Sequence, residues 1–453
     1  MDAGTHLTAI IKILELYTRD STERKRPITL TEGPFKGLQL PHFSSSANAA
    51  HITRTLVDTY LITHPHLDHI SGFVVNTVIP GSRPQRLAAL PATIEAFKSH
   101  IFNNVIWPNL SDENNGVGLV TYMRLVEGGS PAIGEGEARG YVEISEGLSV
   151  KTWGVSHGHC IENHSHRGSN AGILTSIASP QVDIDPHTRT RANSQLQLSP
   201  RSSSRGNLQP NTGGELLRSD SGKIQCVYTS SAYFIRDIST GKEVLIFGDV
   251  EPDSLSLSPR NRQVWRDAAP KIASGRLPGI FIECSFEDSQ SDETLFGHLA
   301  PRHLIDELKV LSAEVEHFKS REARNRDKEN KKRKHSSSIS SSHGLRKSPR
   351  RQKCPGSRSM SPIPVNIEVT QADGAVIDEQ MTGTQDAARP LPIHRFDTLP
   401  LRGVKVVIIH IKDKLDDGPD SGDMILQQLL EYEEEAKLGC EFVISRAGMA
   451  VYL

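Results

Sequence analysis

No cysteine in this chain has a close neighbour of its own kind. The five, Cys160, Cys226, Cys284, Cys354 and Cys440, are scattered over 453 residues without a C-x-x-C pair. That spacing excludes a cysteine zinc site and a disulfide framework and fits reduced thiols, so a cytoplasmic or nuclear protein is expected. Long apolar runs are lacking too: nothing is long enough to span a bilayer, and the opening MDAGTHLTAIIKILEL has neither the basic stretch nor the pure apolar run of a secretory signal. No membrane partner is expected. Excess charge of one sign is absent, with Lys+Arg at 52 against Asp+Glu at 54 and a formal net charge of -2, which leaves no global electrostatic reason for a nucleic-acid partner. No repeat of fixed period is visible, which excludes solenoids and propellers.

Two stretches replace apolar periodicity with Ser, Pro, Arg, Asn and Gln and read as disordered insertions. The first covers residues 179–222. Its flanks, NAGILTSIAS and KIQCVYTSSAYFI, have the β-branched and aromatic content of strands. The second, residues 319–395, is basic and Ser-rich, with KENKKRKHSSSISSSHGLRKSPRRQK at its head, and lies between the helical HLIDELKVLSAEVEHF and the strand-like VKVVIIHI. Its bland reading is a solvated loop; a nuclear localisation signal is the alternative. Removing both leaves roughly 330 residues for a single domain spanning 1–453, which suits an α/β sandwich. In that remainder DTYLIT, LSVKTWGV, EVLIFG, GIFIEC, VKVVIIH and CEFVIS read as strands alternating with helix-period segments, an α/β pattern. One such helix is SGDMILQQLLEYEEEAKLG, with Ile425, Leu429, Leu430 and Tyr432 on one face, Ser421 or Asp423 as cap and Gly439 after the last turn.

The densest chemistry is HPHLDH at residues 64–69, directly after the strand-like residues 58–63. Leaving a strand, residues two apart project to one side, so His64 and His66 can share a metal, while Asp68 and His69 fall in the following turn, displaced toward a second. Imidazole with carboxylate and no thiolate suits catalytic zinc and would also accept manganese or iron. A histidine-rich polar loop without a metal is the competing reading. Further candidate ligands follow other strands: His157 after residues 148–155, Asp249 after 244–247, and His410 at the end of VKVVII. Such positions at strand carboxyl ends are where α/β proteins assemble sites from distant sequence. Taken one at a time they read as turn or cap residues. Taken together, His157 completes the His64 and His66 set, His410 completes the Asp68 and His69 set, and the two oxygens of Asp249 can serve both. His159 is the rival to His157.

HPHLDHISGFVVNT resembles the signature of the class II cyclic nucleotide phosphodiesterases of fungi. DAGTHLTAI, GPFKGLQLP, the SHG at 156–158, FGDVEPD, IECSFEDSQ, LFGHLAPRHLIDEL and HIKD resemble that family's other blocks, in its order. The resemblance implies a four-layer αβ/βα metallo-β-lactamase sandwich, two divalent metal ions with zinc first, and a two-metal-activated hydroxide that hydrolyses 3′,5′-cyclic AMP, or cyclic GMP, to the 5′-monophosphate. It makes Asp68 and His298 the candidate catalytic residues, His298 supplying the proton to the departing 3′ oxygen or binding the phosphate; a cap of the helix beside Pro301 is its other reading. Glu283 and Asp253 are candidates to orient ligating imidazoles. In this fold a β-hairpin normally precedes the D-x-G turn seen at residues 2–4, so a sandwich lacking its N-terminal hairpin, with one sheet edge unpaired, is expected. Two alternatives stay open: a tRNA 3′-end endonuclease of the same superfamily, with the basic runs as its RNA-binding arm, and an inactive homologue, either a truncated remnant or a scaffold that docks through the basic insertion. The basic runs have no interleaved aromatics, which counts against the first.

Overall fold

The computed structural model describes residues 1–18, 27–77, 83–159, 214–218, 224–339 and 399–453. It divides into two compact units, Met1–Lys319 with Leu399–Leu453, and Ser320–Thr398, and every element below except the end of one helix lies in the first. The chain opens with α1 (His6–Thr18), a two-residue ribbon of β1 (Ile28–Thr29) and β2 (Gln39–Leu40), and α2 (Ser45–His51), whose first turn is closed by the Ser44 hydroxyl accepting the Ala47 amide.

A small parallel sheet follows, β3 (Thr59–Leu61), β4 (Gln85–Ala89) and β5 (Val120–Arg124), in that order, with α3 (Leu67–Asn76) after β3 and α4 (Pro91–Ala96) after β4. Alternation along these strands decides the layers. Tyr60, Leu87 and Ala89 face Ile70, Phe73, Ile94 and Phe97 of the helical layer, whereas Leu61 and Ala88 face Ile144, Val150 and Tyr233 of the second sheet. Among the described residues β3 stands at the edge of its sheet, where Asp2 donates its amide to the Leu61 carbonyl.

The larger sheet contains β6 (Val142–Ser145), β7 (Leu148–His159), β8 (Gly214–Arg218), β9 (Ile224–Asp237), β10 (Glu243–Phe247), β11 (Gly279–Glu283), β12 (Lys405–Ile409) and β13 (Glu441–Ile444). The order is β13-β12-β11-β10-β9-β7-β6, with β8 paired to the start of β9. β10 to β13 are parallel to one another, and β6, β7 and β9 form an antiparallel meander beside them. Its outer face, including Phe234, Leu245, Phe247, Ile280 and Ile408, packs on α5 (Asn261–Ala273), α6 (Pro301–Ile339) and α7 (Ser421–Ala436) through Trp265, Ala268, Leu304, Leu308, Ile425 and Leu429. Helix, sheet, sheet, helix is the four-layer αβ/βα arrangement that the family resemblance implied.

Several local readings need correcting. β8 falls inside residues 179–222, which composition reads as irregular, and its ladder with β9 satisfies backbone groups that composition says nothing about. α6 runs on to Ile339, inside residues 319–395: its Lys, Glu and Arg are good helix formers, and a nucleated helix propagates without a core to bury. The remainder of both segments lies outside the described residues. α7 is capped by Asp420, whose carboxylate accepts the Asp423 amide, and not by Ser421 or Asp423; its C-cap is Lys437 in the left-handed region, ahead of Gly439. Leu430 is 49% exposed, so it is off the packed face.

Candidate metal centre

The carboxyl ends of β3, β7, β10, β11 and β12 meet at one place, and each brings a polar side chain. β3 leaves its sheet through Ile62 and Thr63 into buried His64; His66 then takes extended geometry as the N-cap of α3, with Asp68 and buried His69 in its first turn. The acidic side chain at a helix N-terminus suits the partial positive charge there. His157 lies in the last turn of pleat of β7, Asp249 follows β10 by two residues, Glu283 ends β11, and His410 follows β12 with φ of 59°, a left-handed geometry for a residue with a side chain. Strain of that kind is tolerated where surrounding contacts over-determine the residue. Here it turns the His410 ring toward the others.

Two sets of four donors result, each with its donor atoms within 4.8 Å of one another: His64, His66, His157 and Asp249, and Asp68, His69, Asp249 and His410. Asp249 belongs to both. Its Oδ2 stands 3.6 Å from His64 Nε2, 3.6 Å from His157 Nε2 and 3.2 Å from His69 Nε2, and its Oδ1 lies 3.4 Å from His410 Nδ1. Every ligand candidate read from HPHLDH and from the strand ends is therefore brought together. His159, the rival to His157, is exposed and belongs to neither set.

The donors fit a divalent cation in three respects. His64 Nε2 is buried and has no hydrogen-bond partner, an arrangement that costs free energy unless an ion takes the lone pair. Burial, reinforced by the rings of His69 and His157, holds the His64 pKa well below its ordinary value, and burial pulls His157 down to about 4, so both are neutral bases near neutral pH. Burial would also lower His69, but Asp2 and Asp249 outweigh it and push the group up to about 10: without a cation, the surplus carboxylate charge recruits a proton instead.

The far sides of four of the five rings are held, as metal-ligating imidazoles require. His157 Nδ1 donates to the Gly297 carbonyl at 2.8 Å. His410 Nδ1 is 3.1 Å from the Ser285 hydroxyl. His69 Nδ1 donates to Asp2 Oδ2 at 3.0 Å, and His64 Nδ1 donates to the Thr63 hydroxyl at 2.9 Å, which itself donates to Asp2 Oδ2 at 2.9 Å. Asp2 thus orients one imidazole of each set, a role that reading the sequence missed. The turn that carries it can lie against α3 because residues 4 and 72 are glycines: a Cβ on Gly4 would fall 2.1 Å from the Asp68 carbonyl oxygen, and one on Gly72 would fall 1.7 Å from that of Gly4.

Beside the two sets, Glu283 accepts the His298 Nδ1–H at 2.8 Å and the Val250 amide at 2.8 Å, fixing the His298 ring with Nδ1 engaged. Burial lowers His298, yet Glu283 more than compensates and its pKa is raised. Asp253, by contrast, accepts the amides of Arg260, Asn261 and Arg262 and caps α5, so its carboxylate serves the start of a helix. Lys412, also missed, places its ammonium 3.2 Å from Asp68 Oδ2 and 3.3 Å from His410 Nε2. A cavity of about 630 Å³ opens beside His66, His157 and His298 and is lined further by Tyr228, Glu251, Leu255, Leu295 and Phe296.

Comparison with known proteins adds the family. The family model of the class-II cAMP phosphodiesterases matches residues 35–322. A 3′,5′-cyclic-nucleotide phosphodiesterase of Schizosaccharomyces pombe is 27% identical over 319 residues, which cover 70% of this chain and 68% of that protein. One of Candida albicans is 28% identical over 301 residues, covering 64% of this chain and 59% of that protein, so the chain matches less than two thirds of its length. The crystal structure of unliganded yeast PDE1 superposes with a TM-score of 0.52 at 18% identity, covering 99% of this chain and 88% of that one, which shows a shared fold. Among the described residues no helix is long and apolar enough to cross a membrane.

Proposed function

Because the chain belongs to the class-II cAMP phosphodiesterase family, whose α/β fold of the metallo-β-lactamase type it carries, we propose that it hydrolyses 3′,5′-cyclic AMP, with cyclic GMP as the alternative substrate, to the nucleoside 5′-monophosphate. The observation that carries this reading is the sharing of Asp249 between two four-donor sets, His64, His66 and His157 on one side and Asp68, His69 and His410 on the other. Those residues would hold two divalent ions, and the imidazole and carboxylate donors without a thiolate favour zinc. When bound, paired metals supply Lewis acidity to a phosphoryl oxygen and acidify water enough for it to attack near neutral pH.

The chain's own residues do the rest. In the overall exchange a water oxygen ends on phosphorus, the bond from phosphorus to O3′ breaks, and O3′ takes a proton. His298 is the group to deliver it: Glu283 occupies Nδ1, which leaves Nε2 for the reacting side, and the ring lines the cavity where a nucleotide would sit. Asp68 combines ligation with catalysis: its carboxylate accepts from the Lys412 ammonium beside His410 and holds that cation at the centre, where it can also steady an anionic phosphate. Separation of 5′-AMP from cyclic AMP after incubation with the metal-loaded protein tests the proposal. Asp249→Ala and His66→Ala should both abolish turnover and lower bound metal; wild-type turnover by Asp249→Ala would end it.

A further inference from the structure

The cavity next to the histidines has two large aromatic side chains that folding leaves partly in water. Phe296 is 71% exposed and Tyr228 is 42% exposed, and both line it. Phe296 also adopts φ of 53°, a left-handed conformation that a bulky side chain rarely takes, immediately before Gly297 at φ of 81°. The loop is not loose. Gly297 packs so close to the end of β7 that a Cβ on it would lie 2.6 Å from the Gly158 amide nitrogen. The Gly297 carbonyl accepts the His157 Nδ1–H, and His298 is bound to Glu283. The backbone that orients one candidate metal ligand therefore also props an exposed phenyl ring over the cavity. Tyr228 approaches from β9, with its ring centroid 6.0 Å from that of His66. The same cavity is lined by Pro252, Leu255 and buried Leu295.

An apolar pocket with aromatic walls, continuous with a phosphate-directed polar centre, has the two chemistries of a nucleotide in order: anion at the histidines, planar heteroaromatic ring beyond. We propose that this cavity is the base subsite and that Phe296 is its stacking face, with Tyr228 on the opposite side. The inference rests on the proposed function and names which side chains read the nucleobase. Base stacking on an aromatic ring is tolerant of base identity, so these residues set affinity for a nucleoside over a bare sugar phosphate, and not the choice between adenine and guanine.

The test is direct binding to the metal-loaded full chain, by calorimetry, of 5′-AMP and of ribose 5-phosphate, which is the same ligand without its base. Wild type should bind 5′-AMP at least about tenfold more tightly than ribose 5-phosphate. Phe296→Ala should remove about tenfold from 5′-AMP binding and leave ribose 5-phosphate within about threefold, Tyr228→Ala should act in the same direction, and Phe296→Tyr should restore the preference. Equal binding of the two ligands by wild type, or a preference undiminished in both alanine variants, overturns the assignment. So does loss of both ligands together in Phe296→Ala, which would place the ring in the structure of the loop and not against a base. Absence of cyclic nucleotide turnover beside an intact base preference would instead count against the proposed reaction alone.

Discussion

Asp2→Asn should weaken metal binding at both donor sets at once. Asp2 Oδ1 accepts the Thr63 amide at 2.8 Å, and Oδ2 accepts the Thr63 hydroxyl at 2.9 Å and His69 Nδ1 at 3.0 Å. Asparagine keeps the shape but offers one accepting oxygen, so either rotamer of its amide sets an NH2 against a donor N–H or O–H. The Thr63 hydroxyl, deprived of its acceptor, no longer has reason to hold its lone pair toward His64 Nδ1. Removing such an outer partner of a metal-ligating imidazole typically costs about 10- to 100-fold in affinity. At about 1.4 kcal/mol per factor of ten this is about 1.4 to 2.8 kcal/mol. Because His69 belongs to one set and His64 to the other, the loss should appear in both binding steps when zinc is titrated against a chromophoric chelator. Circular dichroism reports whether the fold is retained. An affinity within about threefold of wild type at both steps would refute the reasoning, as would weakening of one step only.

Other consequences can be measured separately. Without metal, the stability of the fold should pass through a maximum with pH: His157, lowered to about 4, contributes a gain as pH rises from about 4 to its ordinary 6.5, and His69, raised to about 10, contributes stability that is full below 6.5 and fades as pH rises through about 10. Urea midpoints that climb without a maximum up to pH 10 would contradict those shifts. Glu283→Gln should lower turnover by about a hundredfold with bound metal unchanged, because it removes the carboxylate charge that holds the His298 proton and takes no donor from either four-donor set; a parallel loss of metal would instead assign Glu283, which with His157 and His298 forms a third donor group, to metal binding. Phe247→Ala should cost about 3 to 5 kcal/mol in urea unfolding, since its ring is fully buried and meets Trp265 at a centroid distance of 5.0 Å. A loss below about 1 kcal/mol would mean the outer face of the sheet repacks. Chelation should lower the melting temperature, with recovery on adding zinc, as binding restricted to the folded state requires.

The parts of this fold legible in the sequence are those where a single physical rule dominates. Six strands could be read because each is an apolar run ending in polar residues, and the ligands could be read because donors sit where such runs end. HPHLDH was the surest, since four donor side chains within six residues have little other use. The parts that stayed hidden depend on partners far away in sequence. Asp2 looks like an ordinary turn residue until its carboxylate is seen on Thr63 and His69, 61 and 67 residues on. Lys412 looks like a solvated strand-end charge until its ammonium meets Asp68. Asp253, in the same GDVEPD block as Asp249, looked equally suited to steering an imidazole, yet it faces three helix-start amides that need an acceptor more. Phe296 gave no signal, because exposure and a left-handed backbone are properties of the folded loop.

The division of donors between the sheets has a consequence for how the centre forms. His64, His66, Asp68 and His69 come from β3 and the start of α3, on the small sheet; His157, Asp249 and His410 come from β7, β10 and β12, on the large one. Each candidate cation set takes donors from both. The apolar interface joining the sheets is modest, with Leu61, Ala88, Leu125, Ile144, Val150 and Tyr233 as its buried members, and Tyr233 reaches across it to donate its hydroxyl hydrogen to the Ile62 carbonyl. A cation bound at either set therefore ties the two sheets together at the edge where that interface ends, and the sheets in turn fix the separation of the donors. The catalytic geometry and the closure of the sandwich are one structural problem, so a variant that loosens the sheet interface, far from any ligand, should weaken metal binding before it unfolds the chain.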